Sequence, residues 1–193
     1  MWTSLMNTDL NNYIKIYKNC VSDTICKEIL QQQSNPSAIW KEHTWTNDKH
    51  EVVSLQKYEP EICDASTIPN TPILMNIIWN TIQRYVTELN TPWFNAWRGH
   101  SLVKYIRYPV ATSMNMHVDF IHELFDGERK GTPILTVVGL LNDNFEGGEF
   151  NLIGVDQQLM PGDIMVFPSS FVYPHEIKVI TKGCRHSFQS WVW

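Results

Sequence analysis

The chain has 193 residues, 43% hydrophobic and 18% charged, which suits one domain with a substantial buried core and excludes a disordered tail or a coiled coil. A net charge of −5 provides no general attraction for phosphate backbones and disfavours nucleic acid as a partner, although basic stretches stand at residues 104–107 and 129–130. No run approaches the apolar length of a membrane span, the opening MWTSLMNTDLNN lacks a signal-peptide pattern, and the four cysteines form no C-x-x-C pair, so a soluble, cytoplasmic, reduced protein without structural zinc is expected.

In chain order, residues 13–17 alternate enough for a short strand. Ser22 then caps a helix whose apolar positions Ile25, Cys26, Ile29 and Leu30 share a face, and Ser34-Asn35-Pro36 ends it. Residues 41–63 are polar and mixed, with a strand expected at 51–55, and read as a loop on the substrate side. Thr71 before Pro72 has the cap and first-turn arrangement of a second helix. Its apolar positions Ile73, Leu74, Ile77, Ile78, Ile82, Tyr85, Val86 and Leu89 repeat at helical spacing and predict a helix buttressing a sheet.

From His100 onward the texture becomes short strands rich in β-branched and aromatic residues, expected at 101–108, 114–118, 134–141, 149–153, 163–167, 176–180 and 186–193. Turn signals at 142–144, Gly147-Gly148 and Pro161-Gly162 divide them. This pattern predicts an α+β, mainly β protein: a double-stranded β-helix (jelly-roll, cupin-like) core over about residues 100–193, with N-terminal supporting helices over about 1–99, in a single domain. Much of the aromatic content, including Trp40, Trp45, Trp93, Trp97, Trp191 and Trp193, reads as packing with some rings free to line a cleft.

His117-Val118-Asp119 places an imidazole and a carboxylate at i and i+2, on one face of a strand, where both can meet one ion. Singly, each histidine reads as an ordinary surface or hydrogen-bonded residue. With His175 added, however, the set is two histidines and one carboxylate, which leaves open positions on non-haem Fe(II). Arg185 then follows the Lys182-Gly183-Cys184 turn, where a permanent, forked cation suits a carboxylate ligand. His122 falls on the opposite face from His117 and reads as a loop residue. His43, His50, His100 and His186 lack a spaced acidic or cysteine partner. Gly147-Gly148 has no following G-K-[ST] and reads as a tight turn, and Ser169-Ser170 has no nucleophile-elbow pattern.

The stretches YPVATSMNMHVDF, TPILTVVGLLNDNFEGGEF and PGDIMVFPSSFVYPHEIKVITKGCRHSFQSWVW resemble, in order and spacing, the prolyl 4-hydroxylase-like branch of the Fe(II)/2-oxoglutarate dioxygenases. The resemblance implies His117, Asp119 and His175 as iron ligands, Arg185 as partner of the 2-oxoglutarate C5 carboxylate, and Tyr108, Thr136 and Trp191 as further co-substrate contacts. It also implies O2 as co-substrate, ascorbate as a candidate reductant, and hydroxylation of an unactivated C–H, with peptidyl proline as the leading target and succinate and CO2 as products. Residues 41–63 and 120–131 are then the segments that cover a peptide. A departure is Gly139-Leu140-Leu141-Asn142, which lacks the tyrosine common in the family's YLN segment. A free amino acid or other small molecule is the alternative substrate, and a non-catalytic β-barrel binding module the alternative class. Nucleic-acid demethylation is disfavoured, because Trp191 stands where that branch carries a second arginine.

Overall fold

The computed structural model describes residues 9–46, 52–53, 59–91, 94, 97–119 and 132–193. A short 3-10 turn over Leu10–Tyr13 leads into β1 (Lys15–Tyr17), α1 (Asp23–Gln33), β2 (Trp40–Glu42), β3 (Trp45–Thr46), β4 (Val52–Val53), β5 (Glu61–Cys63) and α2 (Thr71–Leu89). The second half is all strand: β6 (Lys104–Tyr108), β7 (Met114–His117), β8 (Leu135–Leu140), β9 (Phe145–Gly147), β10 (Phe150–Leu152), β11 (Val155–Gln157), β12 (Ile164–Pro168), β13 (His175–Ile177), β14 (Ile180–Gly183) and β15 (Arg185–Val192).

The helices start and stop for local reasons. Ser22 Oγ accepts from the Ile25 N–H, satisfying a first-turn donor that the helix itself leaves open. The second helix begins one residue earlier than expected: Asn70 is the cap residue and Thr71 is already helical. The Thr71 hydroxyl donates to the Ala65 carbonyl and meets the Tyr105 hydroxyl, so it anchors the helix to the sheet and does not cap it. Asn90, in the left-handed region at φ 48°, ends the helix.

Two antiparallel sheets face one another. The larger runs β1-β12-β8-β15-β6-β5-β2 and the smaller β11-β10-β13-β7, with β14-β9 and β3-β4 as separate ribbons. This is the double-stranded β-helix expected from the strand pattern. Because side chains alternate across a strand, each long strand of the larger sheet feeds two cores. Val137, Val166, Phe188 and Val192 pack against Ile29, Leu74, Ile78 and Ile82 of the helices. Tyr108, Val138, Met165 and Phe167 instead face Met114, Phe150, Leu152 and Ile177 of the smaller sheet. That second core is the inside of the cup.

Several expectations are corrected. Residues 41–63 are not one loop, because β2 and β5 extend the larger sheet next to β6; residues 47–51 and 54–58, with most of the strand expected at 51–55, lie outside the described residues. The N-terminal part is likewise not only helical support, since β1 pairs with β12 in the same sheet. The strand expected over 176–180 is two strands, β13 and β14. Lys182 and Gly183, read as a turn, belong to β14, which pairs with β9, and the chain crosses to the larger sheet at Cys184. A break of one residue between strands in different sheets leaves no turn signature in sequence. The Trp93 ring, His50, His122, the basic pair 129–130 and the covering segment 120–131 lie outside the described residues, as does the side chain of Trp45.

Candidate metal and co-substrate site

His117 ends β7 and His175 opens β13, and the two are direct partners in the antiparallel register. Their rings stand 4.4 Å apart, centroid to centroid. Asp119 lies just beyond the end of β7, not within it, but still turns its carboxylate inward, with Oδ2 3.7 Å from His175 Nε2. One ligand atom from each of the three falls within 4.8 Å of the others, so the group can hold a metal ion. Asp119 and His175 are buried and His117 is half-buried, which leaves access from one side.

Each ligand is held by a second group. His117 Nδ1 is 2.7 Å from the Asn115 carbonyl and His175 Nδ1 is 3.1 Å from the Tyr173 carbonyl. A carbonyl only accepts, so both Nδ1 atoms carry the proton and both Nε2 lone pairs remain for an ion. Burial pushes the His175 pKa below its ordinary value, against the opposing pull of Asp119, which keeps the ring neutral and able to ligate. Phe150 stacks on His175 at 5.4 Å and 11°, and Phe167 meets it edge-on at 5.2 Å. Those two rings fix the imidazole plane.

The carboxylate of Asp119 has its own pair of donors. Gln189 Nε2 reaches Oδ1 at 3.2 Å, and Thr136 Oγ1 donates to Oδ2. Thr136 in turn takes a hydrogen bond of 2.7 Å from Ser169, because its own proton is committed to Asp119. Thr136, expected as a co-substrate contact, thus orients a candidate ligand. Gln189 is not singled out in the sequence, and Ser169 is weighed there only as a nucleophile. Gln189 was within reach of it: it stands at i+4 from Arg185 on an alternating strand, which puts both on one face. Ser169 had no signal, since its partner is far away in the chain.

Arg185 opens β15 and is fully enclosed, with 2% of its surface exposed. Its guanidinium carbon lies 5.4 Å from the Tyr108 ring centroid, and Nη1 is buried without any hydrogen-bond partner. Burial pushes its pKa down while the nearby Tyr108 pulls the other way, and no carboxylate among the described residues contributes. The Tyr108 hydroxyl, raised to about 12 chiefly by burial, has only the Met114 sulfur at 3.9 Å. Arg185, Tyr108, His117, His175 and Gln189 line one cavity inside the cup. The approach to Arg185 requires Gly148: a Cβ there would stand 2.2 Å from Ile180 Cδ1 and 3.2 Å from Arg185 Cδ, at φ +67°. Trp191 shares the cup face of β15 but lies toward the other end, paired with Thr136 in register, and is not among the residues lining that cavity.

Of the other described histidines, His100 and His186 have their partners outside this group, whereas His43 lies close enough for the charges of Lys104 and His117 to add to burial in pushing its pKa down. His186 is bonded to Gln33 on the helix side, and His100 to the Ser101 carbonyl and Ser190. His43, read from sequence as lacking an acidic partner, has Glu59 at 3.9 Å.

Residues 103–193 match the model of the 2OG-Fe(II) oxygenase superfamily. The matched stretch is the strand-rich half of the chain and contains His117, Asp119, His175 and Arg185. That match supports a 2-oxoglutarate-dependent dioxygenase as the class of activity. Among solved structures, the chain is similar to a prolyl hydroxylase of Trichoplax adhaerens in complex with a hypoxia inducible factor peptide fragment, at 20% identity over 95% of this chain and 85% of that one, TM-score 0.68. It is similar to the viral collagen prolyl hydroxylase of Paramecium bursaria Chlorella virus-1, at 12% identity over 93% and 94%, TM-score 0.63. A Pseudomonas putida prolyl-4-hydroxylase matches at 13% identity over 100% and 98%, TM-score 0.59. At these identities the likeness is one of fold. No curated protein matches the chain.

Proposed function

We propose that this oxygenase binds Fe(II) through His117, Asp119 and His175 and 2-oxoglutarate through Arg185, and that it hydroxylates an unactivated C–H, with a peptidyl proline as the target and succinate and CO2 as the other products. The observation that carries the reading is Arg185. A buried guanidinium without a carboxylate partner is strongly unfavourable, and this one keeps an unpaired Nη1 in the cavity that the two candidate histidine ligands also line. A dicarboxylate co-substrate held by Arg185 would supply the missing charge. Together with Asp119 its two negative charges balance a divalent ion and Arg185.

Fe(II) held by His117, Asp119 and His175 would, with 2-oxoglutarate bound, supply the activation of O2 that hydroxylation of a C–H requires. The protein's own residues do the positioning. The two Nδ1–H bonds to backbone carbonyls aim Nε2 at the ion, while Gln189 and Thr136 fix the plane of the Asp119 carboxylate. Arg185 offers a charge-assisted bond to the far carboxylate of the co-substrate, and the Tyr108 hydroxyl can exchange its weak thioether acceptor for a carboxylate oxygen. Phe150, Phe167 and Met165 keep the interior of the cup apolar, which strengthens these charged contacts. The choice of a peptide rests on the likeness in fold to prolyl hydroxylases.

Anaerobic addition of Fe(II) and 2-oxoglutarate to the protein tests the reading through the weak visible charge-transfer band of the chelated metal. The expected result is a band in the wild type that His175→Ala removes. Absence of the band in wild type, or its survival in His175→Ala, overturns the assignment.

A further inference from the structure

Arg185 is the cation of the ligand cavity, and little in the protein pins its head group. None of the described residues accepts a hydrogen bond from its Nη1, and no described carboxylate pairs with it. Its guanidinium carbon stands 5.4 Å from the centroid of the Tyr108 ring. A guanidinium on a long, many-rotamer stem is therefore placed by packing alone.

A second cavity, of about 150 Å³, lies against the same residue. Its lining contains none of His117, Asp119 and His175, and it shares with the first cavity only Arg185 and Phe150. These two side chains act as a partition, with two candidate metal ligands on one side and open space on the other. That space suits several waters at ~30 Å³ each, so it can take a displaced guanidinium. Gly148 lines it beside the arginine stem, where a Cβ would come within 3.2 Å of Arg185 Cδ. Without that carbon the stem is not blocked by a side chain from Gly148.

The second cavity also offers acceptors. Gln157 lines it and donates through Nε2 to the Val155 carbonyl, which leaves its amide oxygen open to a new donor. Glu149, on the same lining, is exposed and adds a carboxylate. A site discriminates between acids of different length only when the charge that reads the far carboxylate is locked at one distance from the metal. Here that charge has no protein hydrogen bond at Nη1 and has empty space beside it.

We propose that Arg185 is a movable counter-charge, and that the site binds 2-oxoadipate, the 2-oxo diacid one methylene longer than 2-oxoglutarate, by letting the guanidinium retreat toward the second cavity. This rests on the reading of the metal and co-substrate site given above and widens its ligand class. The longer acid has the same 2-oxo carboxylate for a metal and the same terminal carboxylate for Arg185. Only the separation of the two groups differs.

The test is anaerobic titration of the full chain with Fe(II) and, in turn, 2-oxoglutarate, 2-oxoadipate and 2-oxohexanoate, read through the visible charge-transfer band. The last acid matches 2-oxoadipate in length but lacks the terminal carboxylate. Half-saturation with 2-oxoadipate is expected within about tenfold of that with 2-oxoglutarate, and 2-oxohexanoate should bind about tenfold or more weakly than 2-oxoadipate, the loss of one charge-assisted bond. Leu159, which lines the second cavity alone, supplies the variant. Leu159→Trp fills the space and should weaken 2-oxoadipate by about tenfold while 2-oxoglutarate is unaffected, the scale of an overpacking penalty. If that variant does not fold, Gln158→Trp at the exposed part of the same lining takes its place with the same expectation. Binding of 2-oxoadipate more than about tenfold weaker than 2-oxoglutarate, or no better than 2-oxohexanoate, overturns the movable counter-charge. So does a filled cavity that changes neither diacid or weakens both equally. No band with any of the acids overturns the reading of the metal and co-substrate site instead.

Discussion

Asp119 is the residue on which the site turns, because its two oxygens are already claimed by Gln189 and Thr136 before any ion arrives. Such outer partners hold a ligand in the geometry the metal needs, and losing one typically reduces metal affinity about ten- to a hundredfold. Thr136→Val, which keeps the shape and removes the hydroxyl, and Gln189→Leu should each weaken binding of Mn(II) within that range. Calorimetric titration of the two variants checks this, and unchanged affinity in both would separate the carboxylate's orientation from metal binding. Arg185 makes a second prediction at this scale. Its charge is buried without an acid, so Arg185→Met should raise the melting temperature of the protein free of co-substrate. The same variant should lose the stabilisation that 2-oxoglutarate gives to wild type. A lower melting temperature in Arg185→Met would mean that the guanidinium has a partner in the folded protein.

At the scale of the element, β15 carries the design of the site. Its cup face presents Arg185, Ser187, Gln189 and Trp191, and its opposite face presents His186, Phe188 and Val192 toward the helix side. His186 is held there against Trp40 and Gln33, and burial pushes its pKa down to about 4 from the ordinary 6.5. The folded value lies below the unfolded one, so as pH falls the unfolded chain takes up the proton first. The stabilisation is complete above pH 6.5 and is lost progressively between 6.5 and about 4. His186→Gln should therefore flatten the dependence of unfolding free energy on pH in that window, by up to about 1.4 kcal/mol per pH unit. Urea melts at several pH values measure it. The glycine pair after β9 is the other sensitive element. Gly148→Ala would place a methyl group on Ile180 and against Arg185 in a left-handed backbone conformation, and should both lower the melting temperature and raise the 2-oxoglutarate requirement.

Across the whole molecule the larger sheet separates two cores with different duties. The helix-side core contains Leu74, Ile78 and Ile82 of α2, all fully buried, while the candidate metal ligands sit beside the other core. Ile78→Ala should cost about 2–5 kcal/mol of stability. Below its melting temperature the variant should still show the Fe(II)/2-oxoglutarate band at wild-type intensity. Loss of the band in folded Ile78→Ala would show that the helix layer shapes the cup directly.

The strand-rich second half, the helix over α2 and the candidate set His117, Asp119, His175 and Arg185 were legible from the sequence, because they depend on local periodicity and on residue types tied to one chemistry. Pairing lies beyond local pattern. Only the folded chain brings His175 into register with His117, carries β14 and β15 into different sheets across a single residue, and sets Thr136 and Gln189 on Asp119. It also brings Lys104 over the ring of Trp191. A sequence fixes which face of a strand a residue occupies, through the alternation of side chains. What stands opposite that face is set by long-range register, and here the register decided how the site is assembled.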